Sequence, residues 1–207
     1  MELGELTMAF DSFKSIGEVS AEYQIKLFEN PFIQPIALEI NPFFREQLAF
    51  HLSEFSFRES ESAVCEMVIF PILAEVYKNH RHKFVLWSHK TLRYDDRLTG
   101  IPDYILSKRS PLSKLVWDKP YFVAVEAKKD DFVKGWGQCL AQMLAMQKLN
   151  KNPQQSVYGI VSNGQSWEFG ILIQDTFTQD PKAYPLSDLD DLMSALNFLF
   201  QSCEERS

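Results

Sequence analysis

Apolar residues recur at helical spacing from Ser60 to Asn79, with Val64, Met67, Val68, Ile72 and Val76 on one face. Ser60 suits the N-cap of that helix, and Pro71 is expected to kink it. The pattern then becomes that of strands. KFVLWSHKTLRY, over 83–94, is rich in β-branched and aromatic residues and runs into a turn at Asp95-Asp96. Further strands are expected over 100–108, opened by Gly-Ile-Pro, and over 121–128, YFVAVEAK. Helical spacing returns over 132–149 through Trp136, Leu140, Met143, Leu144 and Gln147. Strands over 156–161 and 166–173 flank Ser162-Asn163-Gly164, an Asn-Gly turn that suits a hairpin. A last helix is capped at Ser187-Asp188 and runs to about Cys203. Earlier in the chain, Asn41-Pro42 marks a helix over about 42–54, and short strands are expected around 22–28 and 36–40.

These elements define an α/β (α+β) fold in which helices flank a mixed sheet, in the order α-β-β-β-α-β-β-α. Three consecutive strands suit an antiparallel meander, and the next helix crosses over to reach the following strand. The 207 residues fit one domain: an N-terminal extension over 1–57, a core over 58–175, and a C-terminal loop and helix over 176–207. An apolar content of 45% supports a packed globule. Cys65, Cys139 and Cys203 are odd in number and widely spaced, which argues against a disulfide framework or zinc site and for a reducing cytoplasm. No apolar run is long enough to span a membrane, and the acidic start, Met1 to Glu5, lacks the basic region of a signal peptide.

A net charge of −7 argues against nucleic acid as a partner until its distribution is considered. Residues 78–134 hold 13 Lys and Arg against 7 Asp and Glu, so the acidity lies in the flanks. A basic middle is compatible with one phosphate-facing surface. Lys129, Lys134, Arg93, Lys108 and Arg109 are the candidate phosphate contacts. His80, His82 and His89 have no matching carboxylate spacing and read as solvated basic residues.

The chemistry concentrates at Pro102-Asp103 and, 23 positions after the aspartate, Glu126-Ala127-Lys128. Residues i and i+2 of a strand share a face, so Glu126 and Lys128 project together. If the strand over 100–108 pairs with that over 121–128, Asp103 reaches the same edge, while Val123, Val125 and Ala127 turn to the other face. Two carboxylates and an ammonium suit phosphodiester hydrolysis assisted by Mg²⁺ (or Mn²⁺). Mg²⁺ needs only one or two carboxylates, keeps several waters and takes a substrate phosphate oxygen. The lysine can orient a water or offset transition-state charge.

At these residues the chain resembles the PD-(D/E)XK nuclease superfamily, and within it the N-terminal nuclease domain of type I restriction enzyme motor subunits. The resemblance covers about half the chain, roughly 60–169. It rests on Ser60-Glu61-Ser62-Ala63 leading to Ile69-Phe70-Pro71-Ile72-Leu73, on Gly100-Ile101-Pro102-Asp103-Tyr104-Ile105-Leu106, on Val125-Glu126-Ala127-Lys128-Lys129, and on Val161-Ser162-Asn163-Gly164 with Trp167. It implies a restriction-endonuclease-like core, Asp103 and Glu126 as metal ligands, and Lys128 serving the attacking water. It also implies an acid from the first helix, Glu61 by motif position or Glu66 as the competitor. A supporting glutamine is implied early in the next helix, where Gln138 stands, with Gln142 one turn later. The chain has no helicase motif and no Gly-rich Walker loop, so a complete type I subunit is not expected.

The leading expectation is therefore a magnesium-dependent nuclease acting on nucleic acid, DNA before RNA. A non-catalytic nucleic-acid-binding or assembly module that retains the fold is the alternative. A third reading is a protein-interaction subunit dimerising through the helices over 132–149 and 187–203, and a homodimer would also help a nuclease cut two strands.

Overall fold

The computed structural model describes residues 9–205, so the acidic stretch Met1 to Glu5 lies outside the described residues. Its centre is a mixed sheet flanked by helices on both faces. Strands β2 (Phe84–Ser88), β5 (Tyr104–Arg109) and β6 (Trp117–Ala127) form the expected antiparallel meander. Helix α5 (Phe132–Asn150) then crosses over to β7 (Val157–Ser162), which pairs parallel to β6. The α5 N-terminus is fixed by the Asp131 side chain, which accepts the Lys134 N–H at 2.9 Å. Strand β8 (Ser166–Ile173) returns antiparallel through the Asn163-Gly164 turn, where Gly164 takes φ 80. Beyond it lie β9 (Thr176–Gln179), β10 (Tyr184–Pro185) and β1 (Lys26–Glu29), and the sheet runs β1-β9-β8-β7-β6-β5-β2 with β10 on β8.

The sheet's two faces carry two cores. Tyr104, Leu106, Val123, Val125, Ala127, Tyr158, Ile160 and Phe169 alternate onto one face. That face is covered by α2 (Pro42–Glu54), by the helix beginning at Glu61, and by α6 (Leu189–Glu204). Ile105, Ala124, Val157, Val161 and Leu172 face the other way, under α5, α1 (Ile16–Tyr23) and Phe10 and Phe13. This period-two division is the direct result of strand geometry.

The helix over 60–79 departs from regularity as its proline requires. It comprises α3 (Glu61–Val64), a π-helical turn (Cys65–Ile69) and α4 (Phe70–His80), with Ser60 accepting the Ala63 N–H. Pro71 has no N–H to offer, and the carbonyl of Met67 four residues earlier instead accepts from His51 Nδ1 at 3.0 Å.

Four expectations need correction. The strand over 83–94 breaks at His89, which adopts φ 48, and a separate hairpin forms from β3 (Leu92–Arg93) and β4 (Thr99–Gly100). The strand over 100–108 divides correspondingly at Pro102-Asp103. The strand around 22–28 begins late, because α1, capped by Ser15, runs to Tyr23 and only Lys26–Glu29 extends. Residues 36–40 form no strand: α6 satisfies their backbone, with Asn197 Nδ2 donating to the carbonyls of Ile36 and Ala37, and the Ile36 N–H donating to Ser194 O.

All three cysteines are buried, with no disulfide among them. Among the described residues no helix is long and apolar enough to cross a membrane.

Candidate active site

Register places the first two acids. Tyr104 pairs with Val125, so Asp103 and Glu126 lie across from each other one step further along, on the face opposite those two residues. Asp103 is held there by its Oδ2, which accepts the Ala127 N–H at 2.7 Å. Glu126 and Lys128 share the α5 side of β6, and Lys128 Nζ stands 2.8 Å from Glu126 Oε1. The backbone continues the β7 pairing to Lys128, whose N–H donates to Ser162 O at 2.9 Å. Gly135 makes room for the lysine stem, since a Cβ there would stand 2.8 Å from Lys128 Cγ and 2.9 Å from Val161 Cγ1. The charged pair is thus embedded, with Glu126 6% and Lys128 8% exposed.

The other contacts decide between candidates that sequence left open. Of the two acids on the first helix, Glu61 is brought to the cluster, with Oε2 3.4 Å from Lys128 Nζ. Glu66 is exposed and acts electrostatically on Tyr104. The glutamine on the carboxylate is Gln142, whose Nε2 donates to Glu126 Oε2 at 2.6 Å. Gln138, one turn earlier, is buried but turns to the N-terminal segment and donates to Asp11. The rotation of α5 about its axis selects between them, and helical spacing alone does not specify that rotation.

Burial and mutual repulsion set the charge states. Burial first, and then the Asp103 charge, push the Glu126 carboxyl up to about 7, against the pull of Lys128 and Gln142. Asp103 is also raised, chiefly by burial, with its Ala127 hydrogen bond and Lys128 opposing. Burial alone would lower Lys128, but Glu126, Glu61 and Asp103 outweigh it and hold the ammonium above the ordinary lysine value. Nearby, burial pushes the Cys65 thiol up to about 12, and Tyr104, which shares a hydrogen bond with it, is raised as well. These two are neutral wall residues rather than nucleophiles.

His89 joins the rim unannounced by its sequence context. Its backbone N–H donates to Asp103 O at 2.8 Å, and Nε2 stands 3.5 Å from Asp103 Oδ1. The positive φ that ends β2 turns it there, and its ring meets Tyr104 edge-on. His80, by contrast, is not a solvated residue. It is buried, with Nδ1 2.7 Å from Glu204 and Nε2 3.0 Å from Asn197, where α4 packs on α6.

The basic candidates separate spatially. Lys129 and Lys134 flank the carboxylates, at the end of β6 and the start of α5. Arg93 lies in the β3–β4 hairpin, bonded to Asp96 at 2.7 Å. Lys108 and Arg109 occupy the far end of β5, roughly 15 Å of extended strand from Asp103. Arg109 there donates to Arg81 O.

The donor set suits a hard divalent cation. Asp103, Glu126 and Glu61 outnumber Lys128, and the Asp103 charge holds back ionisation of the buried Glu126 until a cation offsets it. Among the described residues no group of three or more His, Cys, Asp or Glu is placed to hold a metal ion. Mg²⁺ tolerates that by keeping waters. Gln142 Oε1, buried with no protein partner, is an acceptor for such a water beside Glu126. No protein-family model and no curated protein matches the chain.

Proposed function

We propose that this chain is a magnesium-dependent nuclease with a PD-(D/E)XK site, hydrolysing phosphodiester bonds in nucleic acid, DNA first. The observation that carries this reading is the convergence of Asp103, Glu126 and Lys128 at one end of β6, from two paired strands. The β2–β5–β6 meander followed by the α5 crossover to parallel β7 supports a restriction-endonuclease-like core.

Asp103 and Glu126 are the residues that would hold the cation. Bound there, Mg²⁺ (or Mn²⁺) supplies Lewis-acid polarisation of the phosphate and acidifies a water. Gln142 fixes the orientation of Glu126 through Oε2. Lys128 stays an ammonium, because the acids around it favour its charged form. Its role is therefore to donate to the attacking water and to offset charge on the phosphorane-like transition state, not to remove a proton. Glu61 Oε2, 3.4 Å from Nζ, adds a second acidic contact that favours the ammonium.

Cleavage of plasmid and single-stranded DNA in Mg²⁺ tests the reading. Lys128→Met and Asp103→Asn are each expected to slow cutting by about 10²–10³ while leaving the circular dichroism spectrum intact. Cutting by the wild type that survives both substitutions would overturn it. Binding without any cutting would favour the non-catalytic module.

A further inference from the structure

Beside the carboxylates, on the other face of the sheet's end, lies a pocket of about 240 Å³ lined by Arg58, Val64, Lys129, Asp130, Asn163 and Gln165. It adjoins the cluster directly. Lys129 follows Lys128, and Val64 is three residues beyond Glu61 on the same short helix. Arg58 and Lys129 take part in no ion pair among the described residues. Asp130 is the one acid in the lining. Asn163 Oδ1 is occupied by the backbone N–H groups of Gln165 and Ser166, which directs the remaining amide N–H₂ outward as a donor. Two cations and an amide donor around a small pocket suit one phosphate.

A second depression, of about 490 Å³, shares Arg58 and Gln165 with the first and has a different character. Leu52, Phe57 and Leu186 give it an apolar floor, while Gln165 and Ser187 supply polar edges. Phe57 is buried and anchors the turn that carries Arg58, whose guanidinium lies 5.5 Å from its ring centroid. The two depressions form one groove leading away from Lys128, with Arg58 and Gln165 at its waist.

We infer that this groove takes an unpaired nucleotide of the strand being cut, its phosphate between Arg58 and Lys129 and its base on the Leu52–Phe57–Leu186 floor. A base inside a duplex is paired and stacked, so only a single strand, flap or frayed end can fill the second depression. The inference rests on the nuclease reading and names the substrate class for it: single-stranded or locally unpaired nucleic acid.

Fluorescence anisotropy tests it, with a labelled single-stranded oligonucleotide and a blunt duplex of the same sequence, in EDTA so that neither is cut. The wild type is expected to bind the single strand more tightly. Arg58→Ala and Lys129→Ala should each weaken that binding about fivefold and lower its salt slope by about 0.7. Lys83→Ala, an equal charge change at the opposite end of the sheet, should match the wild type. Wild-type affinity in both groove variants, or a preference for duplex, would overturn the inference. Cleavage in Mg²⁺ separates the two claims. Cutting with groove variants that bind and cut normally removes the groove alone, whereas groove-dependent binding without cutting removes the nuclease and leaves the groove.

Discussion

At Glu126 opposing influences set one proton. Burial and the Asp103 carboxylate favour the acid form, Lys128 and Gln142 favour the carboxylate, and the balance stands at about 7. Without a cation the folded chain keeps a proton that the unfolded chain releases above the ordinary value of 4.5. Stability from this group is therefore full below that value and lost as pH rises through 7. A cation must displace the same proton, so its apparent affinity should fall up to about tenfold per pH unit below 7. Gln142→Leu removes a hydrogen bond to the charged form and should move that midpoint upward, measured by Mg²⁺ calorimetry across the range. An unchanged midpoint would show that Gln142 does not tune the carboxylate. Asp103, Glu126 and Lys128 were legible, because strand periodicity aligns Glu126 with Lys128 and pairing of the neighbouring strand brings Asp103 beside them. Gln142 over Gln138, and His89 at the rim, were not legible in that way. They depend on helix rotation and on a left-handed backbone turn, neither of which leaves a sequence signature here.

Among the elements, the first helix shows how a local irregularity is absorbed. Pro71 stands where it removes an N–H from the ladder, and the chain answers with a π-helical turn and a side chain from α2. His51→Ala leaves the Met67 carbonyl without that donor and should lower stability by about 1–2 kcal/mol in denaturant unfolding. No loss would mean that water replaces the imidazole. Glu61, Val64 and Cys65 precede or enter this turn, so its register also sets which helix acid meets Lys128. The long helices were readable because caps and apolar stripes agree: Asp131 starts α5 and Asp188 starts α6 where the pattern begins. The short strands β9 and β10 were not readable, since four- and two-residue elements have too few positions to show a period. The expected strand over 36–40 fails for a related reason. Ile36 and Ile40 look strand-like in isolation, yet α6 supplies the partners of the Ile36 backbone.

Across the whole molecule, the net charge of −7 coexists with a local basic surplus. The acidic cluster and the Arg58–Lys129 pocket lie at the same end of the sheet, so under the proposed function a nucleic-acid strand passing over that end would meet carboxylates and cations in turn. Charge counting found the surplus but not its geometry. Lys108 and Arg109 belong to it by sequence and lie at the opposite end, whereas Arg58 lies outside the basic segment and joins Lys129. Whether Asp103 and Glu126 hold a divalent cation is tested by calorimetric titration of Mg²⁺ and Mn²⁺ at pH 8. Saturable binding to the wild type is expected, abolished in Glu126→Ala while the protein stays folded. Saturable binding that persists unchanged in Glu126→Ala, or no binding to either protein, would contradict the proposed site.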